Sequence, residues 1–137
     1  MGAKEELLSS LVAKDTSGGI QLIHDKLVRH ELKWKGPSNS QTLLYFFRKN
    51  GKEIGVAAMR QGIFSFPAPF WRTRDTFLRE ALNRVASYSL IGTEPAISSS
   101  QYSAGQIRIN QSTIDSIESI IEEIILPESR AAGATIT

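Results

Sequence analysis

The dipeptide Asn50-Gly51 limits the possible folds of this 137-residue chain more than any other feature. It stands between Thr42-Leu43-Leu44-Tyr45-Phe46-Phe47-Arg48, rich in strand-favouring aromatics, and Glu53-Ile54-Gly55-Val56-Ala57-Ala58-Met59. Asn-Gly supplies the positive φ that a tight β-hairpin turn demands, so the two runs are expected to pair antiparallel. Gln61-Gly62 makes a second turn into Ile63-Phe64-Ser65-Phe66, which completes a three-stranded meander.

Helical periodicity frames this meander. Leu7, Leu8, Leu11 and Val12 recur at helical spacing before the breaker Thr16-Ser17-Gly18-Gly19, and Ile20, Ile23, Leu27 and Val28 define a second helix to about Leu32. After the third strand, Thr73 is the expected N-cap of a helix whose Phe77, Leu78, Ala81, Leu82 and Val85 form one apolar face, ending near Tyr88. Residues 89–105 lack a sustained period and read as a long loop. Gln106-Ile107-Arg108-Ile109 alternates as a half-buried strand. Ser112 is the expected cap of a last helix with Ile114, Ile117, Ile120, Ile121, Ile124 and Ile125 inside, terminated by Pro127.

The order α-α-β-β-β-α-β-α predicts a single α+β domain over residues 1–127, with an antiparallel sheet (the meander plus a fourth strand) packed on helices. Residues 128–137 are expected to form a disordered tail. With 41% hydrophobic and 22% charged residues the chain can bury one core but not two. No cysteine is present, which removes disulfides and thiolate chemistry. The acidic start and the lack of any run near 20 apolar residues predict an intracellular, cytoplasmic protein without a membrane segment. The first strand is apolar on both faces: Leu43, Tyr45 and Phe47 on one, Leu44 and Phe46 on the other. Its second face is therefore expected to be covered too, by the N-terminal helices, the long loop or a second copy in a homodimer.

The stretch from Leu44 to Phe66, the helix after it, and Gly105-Gln106-Ile107-Arg108-Ile109-Asn110 leading into an Ile-rich helix together resemble the small YjbR-like α+β domains. The resemblance covers roughly the last two thirds of the chain and rests on element order. The His and Trp residues that often precede the last strand in that family are absent here, where Gln101-Tyr102-Ser103-Ala104 stands instead. The resemblance implies a binding module, with DNA as a ligand, and brings no catalytic residues with it.

Enzymatic signatures are sparse. His24 and His30 are six residues apart on one helix, off a common face, and do not suit a metal; both are expected at the surface or near a cap. Glu31-Leu32-Lys33 has the Glu-x-Lys form of metal-dependent nucleases but falls at a helix end, with Asp25 on the same helix. Neither a Gly-x-Ser-x-Gly elbow nor a Walker-type loop occurs. Ser17-Gly18-Gly19 reads as helix-start punctuation or, alternatively, as backbone donors for an anion. No catalytic residue, metal ligand or cofactor site is assigned. An enzyme acting on a small anionic substrate under the 89–105 loop, using Arg108, Tyr102 or Glu53, remains the third reading.

Charge gives the direction. Twelve of the 16 Lys and Arg residues lie between Lys26 and Arg84 against four acids, a segment of +8 between acidic flanks, which points to an anionic partner such as DNA or RNA. Phe66-Pro67-Ala68-Pro69-Phe70-Trp71-Arg72-Thr73-Arg74 sets aromatic rings beside guanidinium groups on a backbone that two prolines hold extended, a platform for stacking a base or clamping a phosphate. The same rings would otherwise plug the end of the core. Lys26, Arg29 and Lys33 are neighbours on one helical face. The expected function is a non-catalytic module that contacts nucleic acid mainly through phosphates, with Lys26, Arg29, Lys33, Trp71, Arg72 and Arg74 as its surface. The alternative is a protein-interaction or homo-oligomeric adaptor that uses Phe66, Phe70 and Trp71.

Overall fold

The computed structural model describes residues 2–38, 41–85, 88–90 and 103–135. Two helices open the chain, α1 (Ala3–Lys14) and α2 (Gly19–Arg29). Asp15 between them caps α2. Its Oδ2 accepts the Ile20 N–H and its Oδ1 the Ser17 N–H, both at 3.0 Å, and Ser17 Oγ accepts the Gly19 N–H at 3.0 Å. The donors that would have offered an anion a seat are thus used by the chain itself. Burial tends to raise the Asp15 pKa, but the hydrogen bonds from Ser17, Ile20 and Gly18 outweigh it and hold the carboxyl below its ordinary value. α2 stops at Arg29, short of the expected Leu32, because Glu31 is left-handed (φ 67°) and reverses the chain. Leu32 then enters the core and Lys33–Lys35 forms a short strand, β1.

Five further strands follow: β2 (Leu43–Lys49), β3 (Lys52–Arg60), β4 (Ile63–Pro67), β5 (Tyr88–Leu90) and β6 (Ser103–Arg108). They form one sheet in the order β1-β2-β3-β4-β6-β5, with every pairing antiparallel. The expected meander and fourth strand make up its centre, and β1 and β5 extend its two edges. Asn50 (φ 54°) and Gly51 (φ 77°) are both left-handed, the type I′ geometry, and set Lys49 opposite Lys52. A bulge at Tyr45/Phe46 shifts the β2–β3 register.

The corner after β4 departs from expectation. Pro67 ends the strand, but the aromatic segment is not extended: Ala68–Trp71 is a helical turn, α3, which a 3₁₀ turn over Arg72–Arg74 joins to α4 (Asp75–Leu82). Pro69 falls in the first turn of α3, where a missing N–H costs nothing. Thr73 Oγ1 donates to Phe70 O at 3.0 Å instead of capping α4. α4 ends at Leu82 and not near Tyr88, which starts β5, and Phe77 is 40% exposed instead of facing the core. Residues 91–102 of the expected long loop lie outside the described residues.

The last helix begins with α5 (Ile114–Ile120), N-capped at Thr113 rather than Ser112. It then widens into a π turn (Ile121–Ile125) and continues as α6 (Leu126–Ala131). Pro127 therefore does not end it. Proline in an α-helix clashes with the carbonyl four residues back, and the wider turn, closed by Leu126 N–H to Ile121 O, relieves that conflict. The expected tail is partly structured: Ser129 is buried and donates to Ile125 O at 2.7 Å, and Ala132 and Ala134 pack on the core.

Apolar residues of all the helices meet Leu43, Tyr45, Phe47, Met59, Phe64 and Ile107 of the sheet in one core. Phe46 and Ala58, although buried, stand outside it on the opposite face. Gly19 is a tight contact, since a Cβ there would come within 2.7 Å of Ile114 Cγ1 and 2.9 Å of Ile109 Cγ2. Gly19→Ala is expected to cost about 1–3 kcal/mol through overpacking, read as a lower urea midpoint with unchanged m-value.

Candidate nucleic-acid interface

Strand register decides which side chains share the face opposite the helices. Lys33 lies across from Phe46, Lys35 from Leu44, and Leu44 from Ala58, which continues to Ser65 and Gln106. Arg48 faces Glu53, and Arg60 continues through Ile63 to Arg108. Because alternate residues of a strand point to one side, Lys33, Lys35, Arg48, Arg60 and Arg108 all project from the face that carries no helix among the described residues. Ala58, Ser65 and Gln106 form a low floor between them.

Phe46 is only 4% exposed on this open face. Lys35 and Arg48 hold their cationic groups 5.5 and 5.8 Å from its ring centre, so among the described residues basic side chains cover it, while residues 91–102 of the loop expected over this face lie outside the described residues. Both also bind Glu53: Lys35 Nζ hydrogen-bonds its carboxylate and Arg48 reaches it at 3.1 Å. These two bonds, Lys35 first, hold the Glu53 carboxyl below its ordinary pKa. Among the described residues, no carboxylate lies within ion-pairing reach of Lys33, Arg60 or Arg108.

The six residues expected to bind nucleic acid do not form one surface. Lys33 is on β1 and not on a helical face with Lys26 and Arg29, because the chain leaves the helix at Glu31. Lys26 pairs with Glu122 at 3.3 Å, and Arg29 is exposed at the end of α2. Trp71 is fully buried, its Nε1 donating to Val56 O at 2.8 Å, and therefore presents no ring to a base. Arg74 stacks over Phe70, 3.9 Å from the ring centre, and pairs with Glu128 at 3.5 Å. Arg72 lies exposed in the 3₁₀ turn. Phe66 and Phe70 are buried, so the aromatic segment is a core plug. Sequence reasoning left Lys35, Arg48, Arg60 and Arg108 out of the expected surface, although the hairpin register alone placed Arg48 beside Glu53.

A groove of about 730 Å³ opens where β3 and β4 diverge. β4 pairs with β3 only over Ala58–Arg60, leaving Glu53, Ile54 and Gly55 opposite Pro67, Pro69 and Phe70.

Beneath α2, His24 is buried rather than superficial. Burial pushes Tyr45 far above its ordinary pKa and, as the main cause, pulls His24 down, with Lys4 adding to the fall and Asp25 opposing it. The phenol and a neutral imidazole thus share a hydrogen bond, Tyr45 Oη lying 2.7 Å from His24 Nδ1, with the donor set by the imidazole tautomer. Trp34 packs edge-on against His24 at 4.5 Å and carries Lys4 Nζ over its ring at 4.4 Å. Asp25 instead accepts from Gln21, and among the described residues no three His, Asp or Glu side chains gather to hold a metal.

Compared with family models, with curated proteins and with solved structures, the chain matches none.

The His24 site sets a pH dependence. Its folded pKa lies below the ordinary 6.5, so the unfolded chain takes up the proton first as pH falls. This share of stability is present in full above about 6.5 and is lost as pH falls through the folded value. Urea midpoints are expected to decline from pH 7 to pH 5 in the unaltered protein and to flatten in His24→Gln, whose amide can still hydrogen-bond Tyr45.

Proposed function

We propose that this protein is a binding module whose open sheet face takes nucleic acid through its phosphates. The observation that carries this reading is that, among the described residues, Lys33, Arg60 and Arg108 have no ion-pair partner on a face whose one carboxylate Lys35 and Arg48 already neutralise. Helix-side cations are differently placed: Lys26 pairs with Glu122, Arg79 with Asp75, and Arg84 with Glu80 and Glu123. From β1 to β6 the face spans four strand spacings, about 19 Å, which is five or six nucleotide steps at about 3.4 Å of rise each.

The buried rings bear on specificity. With Phe46, Phe66, Phe70 and Trp71 all inaccessible, these rings offer bases no stacking platform, so recognition by the described residues rests on charge and is sequence-tolerant. Association is then controlled by counterion release and falls steeply with salt.

Fluorescence anisotropy of labelled DNA and RNA oligonucleotides at several salt concentrations tests this. The unaltered protein is expected to bind at low salt, and Arg60→Gln/Arg108→Gln to weaken binding and flatten the log–log salt slope by about 0.7–0.9 per lost phosphate contact. Lys26→Gln should change neither. Absence of binding at low salt, or equal loss from Lys26→Gln and the open-face pair, would refute the assignment.

A further inference from the structure

We propose that the groove between β3 and the β4–α3 corner is a second, independent binding site, which takes a short extended peptide carrying acidic residues as an added strand on β3. The hydrogen-bonding phase of β3 is the starting point. In a two-residue type I′ hairpin the flanking residues, here Lys49 and Lys52, form a hydrogen-bonded pair, and bonded and non-bonded pairs then alternate. Phe47 and Ile54 are the next bonded pair, so Glu53 and Gly55 direct their N–H and C=O groups away from β2, toward the groove.

Among the described residues those groups meet no strand. β4 reaches β3 only at Ala58–Arg60, and the wall beyond contains Pro67 and Pro69, which have no N–H to give. Val56 O marks the lower limit of the free stretch, because the Trp71 indole occupies it. Two exposed donor–acceptor pairs remain on an extended backbone, two residues or about 7 Å apart, which is the repeat of a strand. An incoming peptide would bond on one side to Glu53 and Gly55, and on the other rest its apolar side chains against Pro67, Pro69, Phe70 and Ile54.

Charge selects the peptide. Lys49 stands at the groove beside Arg74, which pairs with Glu128, while Glu53, the one carboxylate among its described lining residues, is held by Lys35 and Arg48. Among the described residues Lys49 Nζ has only the carbonyl of Ala132, at 3.1 Å, so an acidic side chain would give it an ion pair. A phosphate chain would find this charge but could not use alternating backbone donors and acceptors, which is why the occupant is a peptide.

The probe is a displayed library of random twelve-residue peptides panned on the intact protein, followed by synthetic copies of the enriched sequences. Strand-forming sequences containing Glu or Asp are expected, and saturation with them should slow exchange of the Glu53 and Gly55 amides at least tenfold. Lys49→Glu and the exposed Pro69→Asp should each weaken binding at least tenfold while retaining the cooperative unfolding transition. Arg60→Gln/Arg108→Gln should bind the peptide unchanged, so failure of the nucleic-acid reading and failure of this one are separable. No enrichment over the bare support, enriched peptides that leave the two amides unprotected, or undiminished binding to both groove variants would each overturn the proposal.

Discussion

Trp71 donates its indole N–H to Val56 O in the middle of the molecule, and much of the architecture follows from that one bond. The ring is fully buried, edge-on to Phe66 and Phe70 at 5.4 and 5.0 Å, and the carbonyl belongs to β3 just where β4 departs from it. A backbone carbonyl left unpaired there would cost about 1–3 kcal/mol, and a ladder bond from β4 cannot supply the donor because the chain has turned into α3. The side chain thus completes what the sheet leaves open. It also fixes the phase of α3, and so the direction in which α4 leaves.

Charge is distributed by layer. On the helical side Lys26, Arg74, Arg79 and Arg84 sit beside carboxylates, Arg84 touching Ser119, Glu80 and Glu123. On the sheet side, among the described residues, cations are left without an ion pair or lie over Phe46. Such pairs at the surface contribute little stability, so their importance lies in where they leave net charge: positive on the strand face, where Lys33, Lys35, Arg48, Arg60 and Arg108 stand with Glu53, and acidic over the helices. Lys33 and Lys35 act in a second way, because a three-residue edge strand bearing two exposed lysines is a poor template for pairing with another sheet.

What the sequence disclosed and what it withheld divide along physical lines. Asn50-Gly51 carries its turn in its own chemistry, so the hairpin, the meander and the α+β class were legible, as were the isoleucines inside the last helix. β1 and β5 have three residues each and exist only because β2 and β6 offer them partners, which no local pattern records. The aromatic segment left core plug and binding platform both open for a related reason. Rings beside arginines look the same whether they face solvent or core, and only tertiary packing put Trp71 and Phe66 inside. The open face was half-legible: alternation along the hairpin places Arg48 and Glu53 together, but Arg108 joins them only through the β4–β6 pairing.

The π turn at Ile121–Ile125 amounts to one surplus residue inside a helix. Beyond it every side chain is rotated by about 100° from where an uninterrupted α-helix would have carried it. That rotation brings Ser129 into the interior and leaves the Ala132 carbonyl within reach of Lys49. The two halves of the helix therefore answer to different parts of the molecule, the first to α2 and the sheet, the second to the far end of the β2–β3 hairpin. The surplus residue works as a gearing between them, and a chain one residue shorter here would mesh with one half or the other but not with both.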